Sequence, residues 1–174
     1  MNTFSKRLYT NPIQLFQDVA YLFTKLAHLR ARRNISPAFR ERLMLTVTAV
    51  NACRYCAYFH ARLALTTGIS SDEIKHLLEG MVTAAPADEI PALVYAQHWA
   101  ETNASPDAAA RAALVTAYGE DTARAIEYVL RMIRVGNLLG NTFDYVLHRL
   151  SGGRLASPSA MPVRTRHFTS GAAE

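Results

Sequence analysis

Residues that interrupt helices and residues that cross-link small folds are both scarce in this sequence. It contains 8 glycines and 7 prolines among 174 residues, which excludes collagen-like and low-complexity chains. Its 2 cysteines are too few for a scaffold held together by disulfides. Half of the residues are hydrophobic and 19% are charged, so the chain can fill a core and is not disordered throughout.

Long apolar segments are missing as well. No stretch of 18 residues is apolar and free of charge, and the first seven residues lead into no apolar segment with a cleavage site. We therefore expect a cytoplasmic protein without a membrane partner.

Positive charge is concentrated at 28–33, where His28 is followed by Arg30, Arg32 and Arg33. A basic cluster can bind nucleic acid, but this one lacks interleaved aromatic residues and any nucleic-acid-binding motif. We interpret it as a solvated helix end, where basic side chains suit the helix dipole, and we expect no nucleic-acid partner.

Apolar residues recur at helical spacing, and no alternating pattern of useful length predicts a strand. The predicted fold is therefore all-α, a single-domain bundle of six or seven helices. We divide the chain into an N-terminal helical extension at 1–36, a helical core at 37–150 and a C-terminal tail at 151–174. The expected helix starts are Pro12, Ser36 followed by Pro37, Ser70 or Ser71, and residues 105–107.

The last predicted helix, at about 121–150, is unusually long and contains two glycines four residues apart, Gly136 and Gly140. They would either kink the helix or let a neighbouring backbone approach it closely. A polar stripe is predicted beside them, and an apolar inner face elsewhere on the helix. The stripe is Asn137, Asn141 and Asp144, and the expected inner face is Ile126, Leu130, Ile133, Phe143, Leu147 and Leu150.

The residues that indicate chemistry are Cys53, Cys56 and His60, which share one helix face at positions i, i+3 and i+7. A pair of cysteines at a helix start is a recurrent redox device, because the free N–H groups and the dipole there stabilise a thiolate. His60 can accept the proton of Cys56, directly or through one water. A thiol becomes a useful nucleophile at neutral pH when a base removes that proton.

A histidine base usually needs a partner that orients it, and Glu41 is the candidate. Glu41 lies twelve residues before Cys53, which is too far along one continuous helix. It can reach His60 if the chain reverses near Asn51 and the two helices pack side by side.

The order of these residues resembles the alkylhydroperoxidase D-like branch of the carboxymuconolactone decarboxylase family. The pattern is a glutamate, eleven residues and then C-x-x-C-x-x-x-H, and Glu41, Cys53, Cys56 and His60 match it position for position. Some members carry a histidine between the cysteines where this chain has Tyr55. Either the Tyr55 hydroxyl serves in place of that histidine, or the proton relay is weaker in this chain.

The resemblance implies an all-helical trimer or hexamer that reduces hydroperoxides with electrons from an external dithiol or protein reductant. It implies that Cys56 is the peroxidatic thiol, that Cys53 resolves it as a disulfide, and that His60 and Glu41 form a proton relay. It implies no cofactor and no metal.

Three other interpretations stay open at this point. The scaffold could be a non-enzymatic redox sensor or interaction protein, in which the disulfide changes an oligomer or a partner. Glu41, Cys53, Cys56 and His60 could instead hold a structural zinc ion. The cysteines could also be small buried core residues without chemistry.

Overall fold

The computed structural model describes residues 6–24 and 35–155, which form seven α-helices and one 3-10 turn and no strand. The predicted all-α class is confirmed. The basic cluster at 28–33 and most of the predicted tail lie outside the described residues. The helices are α1 (Pro12–Thr24), α2 (Pro37–Asn51), α3 (Arg54–Thr66), α4 (Ser71–Leu78), α5 (Ile90–Glu101), α6 (Ala108–Tyr118) and α7 (Glu120–Leu150), with the 3-10 turn at Val82–Ala84.

Several helices begin where the sequence predicts. The Ser36 hydroxyl accepts a hydrogen bond of 3.0 Å from the Phe39 amide, and Pro37 follows it at the start of the helix, where proline is favoured. Ser70 caps α4, and Asp107 caps α6 by accepting from the Ala110 amide at 2.8 Å. Each cap satisfies an amide that the helix itself leaves without a partner.

Helix α2 is the central element of the bundle. It packs against α3, α4, α5 and α7, so side chains all around it are buried and not only those of one stripe. Leu43, Leu45 and Val47 are fully buried there, and Trp99 of α5 belongs to the same core, as predicted. A helix enclosed on every side can hold a polar side chain away from water, and α2 does so with Glu41.

The chain reverses between α2 and α3 at the predicted place. Ala52 adopts a left-handed conformation with φ of 55°, and its N–H donates to the Thr48 carbonyl, which ends α2. Cys53 is extended and begins α3 as its N-cap. Two residues therefore turn the chain back, and α3 runs beside α2.

The predicted inner face of α7 is right for its first half and wrong for part of its second half. Ile126, Leu130 and Ile133 are buried, but Phe143 is 56% exposed and Leu150 is 82% exposed. Beyond Leu138 the buried positions of α7 are Asn141 and Asp144, which form the polar stripe together with buried Asn137. Because that stripe faces α2 and the α2–α3 turn, the apolar side chains on the other side of α7 point outward in the single chain.

Helix α1 also exposes apolar side chains in the single chain. Its apolar spacing correctly predicts a helix, yet Phe16 is 73% exposed, and Ile13 and Phe23 are exposed as well. The helix contacts α7 through Asp18, which pairs with Arg134. None of the described helices is long and apolar enough to cross a membrane.

One of the two glycines of α7 allows a close approach. A Cβ atom built on Gly140 would lie 2.8 Å from the Cys53 sulfur, whereas one built on Gly136 meets nothing within 4 Å. A close approach therefore occurs at Gly140, where α7 crosses the start of α3, but the atoms that approach belong to the side chains of Cys53, Tyr55 and Cys56 and not to the predicted neighbouring backbone.

We expect Gly140→Ala to lower the free energy of unfolding by about 1–3 kcal/mol, because the added methyl group would lie 2.8 Å from the buried Cys53 sulfur. Gly136→Ala is the matched control on the same helix. It should be neutral, or stabilising by up to about 1 kcal/mol, because alanine favours helix and the space is open. Urea unfolding of the two variants checks this, and equal effects would contradict the close approach.

Candidate thiol site

The two cysteines lie at the first turn of α3 and differ in access. Cys53 is the N-cap, and its sulfur accepts a hydrogen bond of 3.3 Å from the Cys56 amide. Its residue exposure is 1%, while Cys56 is only partly buried. Both thiols are free, so the structure shows the reduced pair.

The pair is arranged to hold one negative charge. A hydrogen bond from the Cys56 thiol lowers the pKa of Cys53, and backbone N–H groups at the helix start add to this effect. Donating that hydrogen bond raises the pKa of Cys56, and burial raises it further. In the reduced state the thiolate is therefore favoured on Cys53, and Cys56 keeps the proton that the two sulfurs share.

His60 and Glu41 meet across the α2–α3 pair. The His60 Nδ1 atom lies 2.7 Å from Glu41 Oε2, and the carboxylate is almost fully buried. A carboxylate at Nδ1 fixes the orientation of the ring and leaves Nε2 as the nitrogen available to another group. The reversal at Ala52 brings the two residues together, although they are nineteen positions apart.

A cavity of about 370 Å³ opens beside the thiols. Cys56 and His60 are the groups in its lining that can carry out proton or redox chemistry, and the rest of the lining is mostly apolar. The other lining residues are Met44, Tyr55, Phe59, Met132, Ile133 and Gly136. The partial exposure of Cys56, and its place in the lining, make it, rather than Cys53, the sulfur that a molecule in this cavity can reach.

The zinc interpretation finds no ligand set in the part of the chain that the structure describes. No group of three or more His, Cys, Asp or Glu side chains there is arranged to hold a metal ion. The Glu41 carboxylate instead binds His60 through Nδ1, while the two sulfurs interact with each other.

Tyr55 is not part of the His60–Glu41 pair. Its hydroxyl donates a hydrogen bond of 2.7 Å to Asp144 and accepts one of 2.8 Å from Arg54. Burial, together with the bond to Asp144, raises the pKa of this tyrosine. The sequence left open whether the Tyr55 hydroxyl replaces the histidine that some family members carry between the cysteines. In the structure this hydroxyl bonds to Asp144 and Arg54, and not to His60 or Glu41.

Asp144 is a residue of the site that sequence analysis missed. It is fully buried on α7, and it pairs with Lys6 at 3.0 Å and with Arg54 at 2.8 Å. The feature of the sequence that pointed to Asp144 was its place in the polar stripe, one helical turn after Gly140. That feature did not show which side chains the stripe would face.

Comparison with known proteins identifies a family for part of the chain. The model of the carboxymuconolactone decarboxylase family matches residues 17–102, which include Glu41, Cys53, Cys56 and His60. No curated protein and no solved structure matches the chain. Over residues 17–102, the chain thus belongs to the carboxymuconolactone decarboxylase family.

Proposed function

We propose that the chain is a thiol-dependent hydroperoxidase of the alkylhydroperoxidase D-like branch. The family includes decarboxylases and peroxidase-related enzymes, which supports the interpretation of the chain as an enzyme. The observation that carries the proposal is the pairing of a buried Cys53 with a partly exposed Cys56, which lines a cavity together with His60. We place the reaction in the cytoplasm, where dithiols keep such cysteines reduced.

The first step oxidises Cys56. Its proton passes to the Cys53 sulfur, and the Cys56 thiolate attacks the terminal oxygen of a hydroperoxide ROOH. The O–O bond breaks, Cys56 becomes a sulfenic acid, and the RO⁻ leaving group takes a proton from imidazolium His60 to give ROH. Glu41 holds the ring in place through its contact of 2.7 Å with Nδ1.

The second step closes the disulfide. The Cys53 sulfur attacks the Cys56 sulfenic sulfur, and the hydroxyl leaves with the Cys53 proton as water. An external dithiol then reduces the disulfide by exchange and is itself oxidised. Because Cys53 is buried and Cys56 is accessible, the reductant is expected to attack Cys56.

Steady turnover tests this proposal. We expect the protein to consume organic hydroperoxide continuously with dithiothreitol, and Cys56→Ser to abolish consumption. Cys53→Ser should accumulate a sulfenic acid on Cys56 and lose most of its turnover, because the resolving sulfur is gone. Peroxide consumption and mass spectrometry of the cysteines are the measurements. If the wild type consumed one equivalent and then stopped although dithiol was present, it would be a redox sensor and not an enzyme.

The relay makes a second prediction. His60→Ala should lower the turnover rate by about a hundredfold, because the leaving group loses its proton donor. Glu41→Gln should act in the same direction but less strongly, since it keeps the shape of the side chain and loses the charge. His76→Ala, on α4 and away from the cavity, is the control. Unchanged turnover in both relay variants, with the fold intact by circular dichroism, would remove His60 and Glu41 from the mechanism.

We also propose that copies of the chain associate as a trimer or a hexamer. An aromatic surface continues outward from the cavity: Phe59 is 58% exposed, and the ring of Tyr55 contacts that of exposed Phe143 with centroids 6.0 Å apart. Contiguous exposed apolar surface of this kind is commonly covered by a partner. A second copy on this surface would shield the cavity from bulk water.

Light scattering should therefore give a multiple of 19.3 kDa at micromolar concentration. Phe143→Asp should shift the protein toward a single chain, because a charge in an apolar interface is costly. Val94→Asp, at another exposed apolar position, should leave the assembly unchanged. A mass of one chain for the wild type would contradict the proposed association.

A further inference from the structure

Asp144 forms a buried ionic cluster that the proposed reaction does not use. Lys6 approaches one carboxylate oxygen at 3.0 Å, while Arg54 and the Tyr55 hydroxyl approach the other at 2.8 and 2.7 Å. The Asp144 side chain and that of Lys6 are almost completely buried. Charges held this far from water act strongly on their neighbours, because solvent does not screen them.

The cluster is tied to the cysteine pair in two ways. Arg54 and Tyr55 are the two residues between the cysteines, and both hydrogen-bond to Asp144. Asp144 also lies one helical turn after Gly140, the residue of α7 that meets the Cys53 sulfur. The carboxylate therefore holds the first turn of α3 from within the C-x-x-C segment.

The N-terminal segment holds the cluster from the other side. The Arg7 carbonyl accepts a hydrogen bond of 3.1 Å from Asn141, and the Tyr9 amide donates one of 3.1 Å to Thr142. These contacts lay residues 6–9 along the second half of α7 and bring Lys6 onto Asp144. The cation of the pair thus comes from outside the family-matched region, and the anion comes from α7.

We propose that Asp144 is a positioning residue whose charge, balanced by Lys6, sets the reduction potential of the Cys53–Cys56 disulfide. The inference rests on the proposed function only in that the two cysteines form a disulfide. It assigns a role to residues outside the motif of Glu41, Cys53, Cys56 and His60.

The sign of the effect follows from the charges. The Asp144 carboxylate opposes the lowering of the Cys53 pKa, because a negative charge disfavours a nearby thiolate. A less stable thiolate makes the reduced pair less stable, and the disulfide then forms more readily. Lys6 and Arg54 oppose this effect by neutralising the carboxylate.

Two substitutions in one ion pair should therefore shift the potential in opposite directions. Asp144→Asn should favour the reduced pair and decrease the equilibrium constant for its oxidation by oxidised glutathione by about threefold or more. Lys6→Met should increase that constant by a similar factor, because the carboxylate loses a balancing cation. The measurement is equilibration of the full chain in glutathione buffers at pH 7, followed by trapping of free thiols and mass spectrometry.

A purely structural role would give a different pattern, because breaking the pair from either side would loosen the same contact and shift the constant the same way. Asp18→Asn is the matched control. Asp18 pairs with Arg134 and also ties the N-terminal region to α7, but it is not in the Asp144 cluster. It should destabilise the protein without changing the glutathione equilibrium.

The double variant Lys6→Met/Asp144→Asn covers the case in which Asp144→Asn alone does not fold, since replacing both members of a buried pair is often tolerated. Its constant for oxidation should be lower than that of Lys6→Met. Shifts of the same sign in both single variants, or a double variant equal to Lys6→Met, would overturn the inference while leaving the proposed function intact. A wild type that forms no disulfide in any glutathione buffer would overturn both. A disulfide without peroxide turnover, with shifts of opposite sign, would refute only the peroxidase.

Discussion

The geometry of the thiol site depends on the two-residue reversal between α2 and α3. With Ala52 left-handed and Cys53 extended, the chain places a cysteine at a helix N-cap and sets α3 beside α2. The same reversal puts His60 within 2.7 Å of Glu41. The Asn141 side chain fixes it from α7 by donating a hydrogen bond of 2.7 Å to the Asn51 carbonyl. The thiol pair and the histidine–carboxylate pair are thus consequences of one turn.

Close packing and buried charge then define the environment of that turn. Gly140 lets α7 reach the Cys53 sulfur, and Asp144 reaches the two residues between the cysteines. The accessible sulfur and the buried sulfur therefore experience different surroundings although they are three positions apart. On one side lies a mostly apolar cavity, and on the other lies the buried ion pair of Asp144 and Lys6.

Sequence patterns predicted those features that depend on short-range physics. Caps such as Ser36 and Asp107 are visible in sequence because the side chain bonds to a backbone amide three positions later. The approach of Glu41 to His60 was predicted on the condition that the chain reverses near Asn51, because the two residues are too far apart along one continuous helix. For the two glycines of α7, spacing alone could not choose between a kink and a close approach, nor could it show that side chains would approach Gly140 and leave Gly136 open.

The sequence patterns could not predict features that depend on which element packs against a given face of a helix. The spacing of Phe16, Phe143 and Leu150 indicates helices but not which direction becomes the interior, and all three are exposed in the single chain. The role of Asp144 depends on Lys6, which is 138 positions away in the sequence. No periodicity encodes a contact of that range, because it results from how α7 and the N-terminal segment pack.

The enclosure of α2 on all sides has a mechanical consequence. A helix that contacts four neighbours cannot shift without opening the core, so α2 would be a rigid frame for the proposed oxidation and reduction of the cysteines. Forming a bond between two sulfurs of one helical turn needs only a small displacement, and the partly exposed first turn of α3 can absorb it. Oxidation would then leave the rest of the bundle in place, and the chain could cycle many times at little conformational cost.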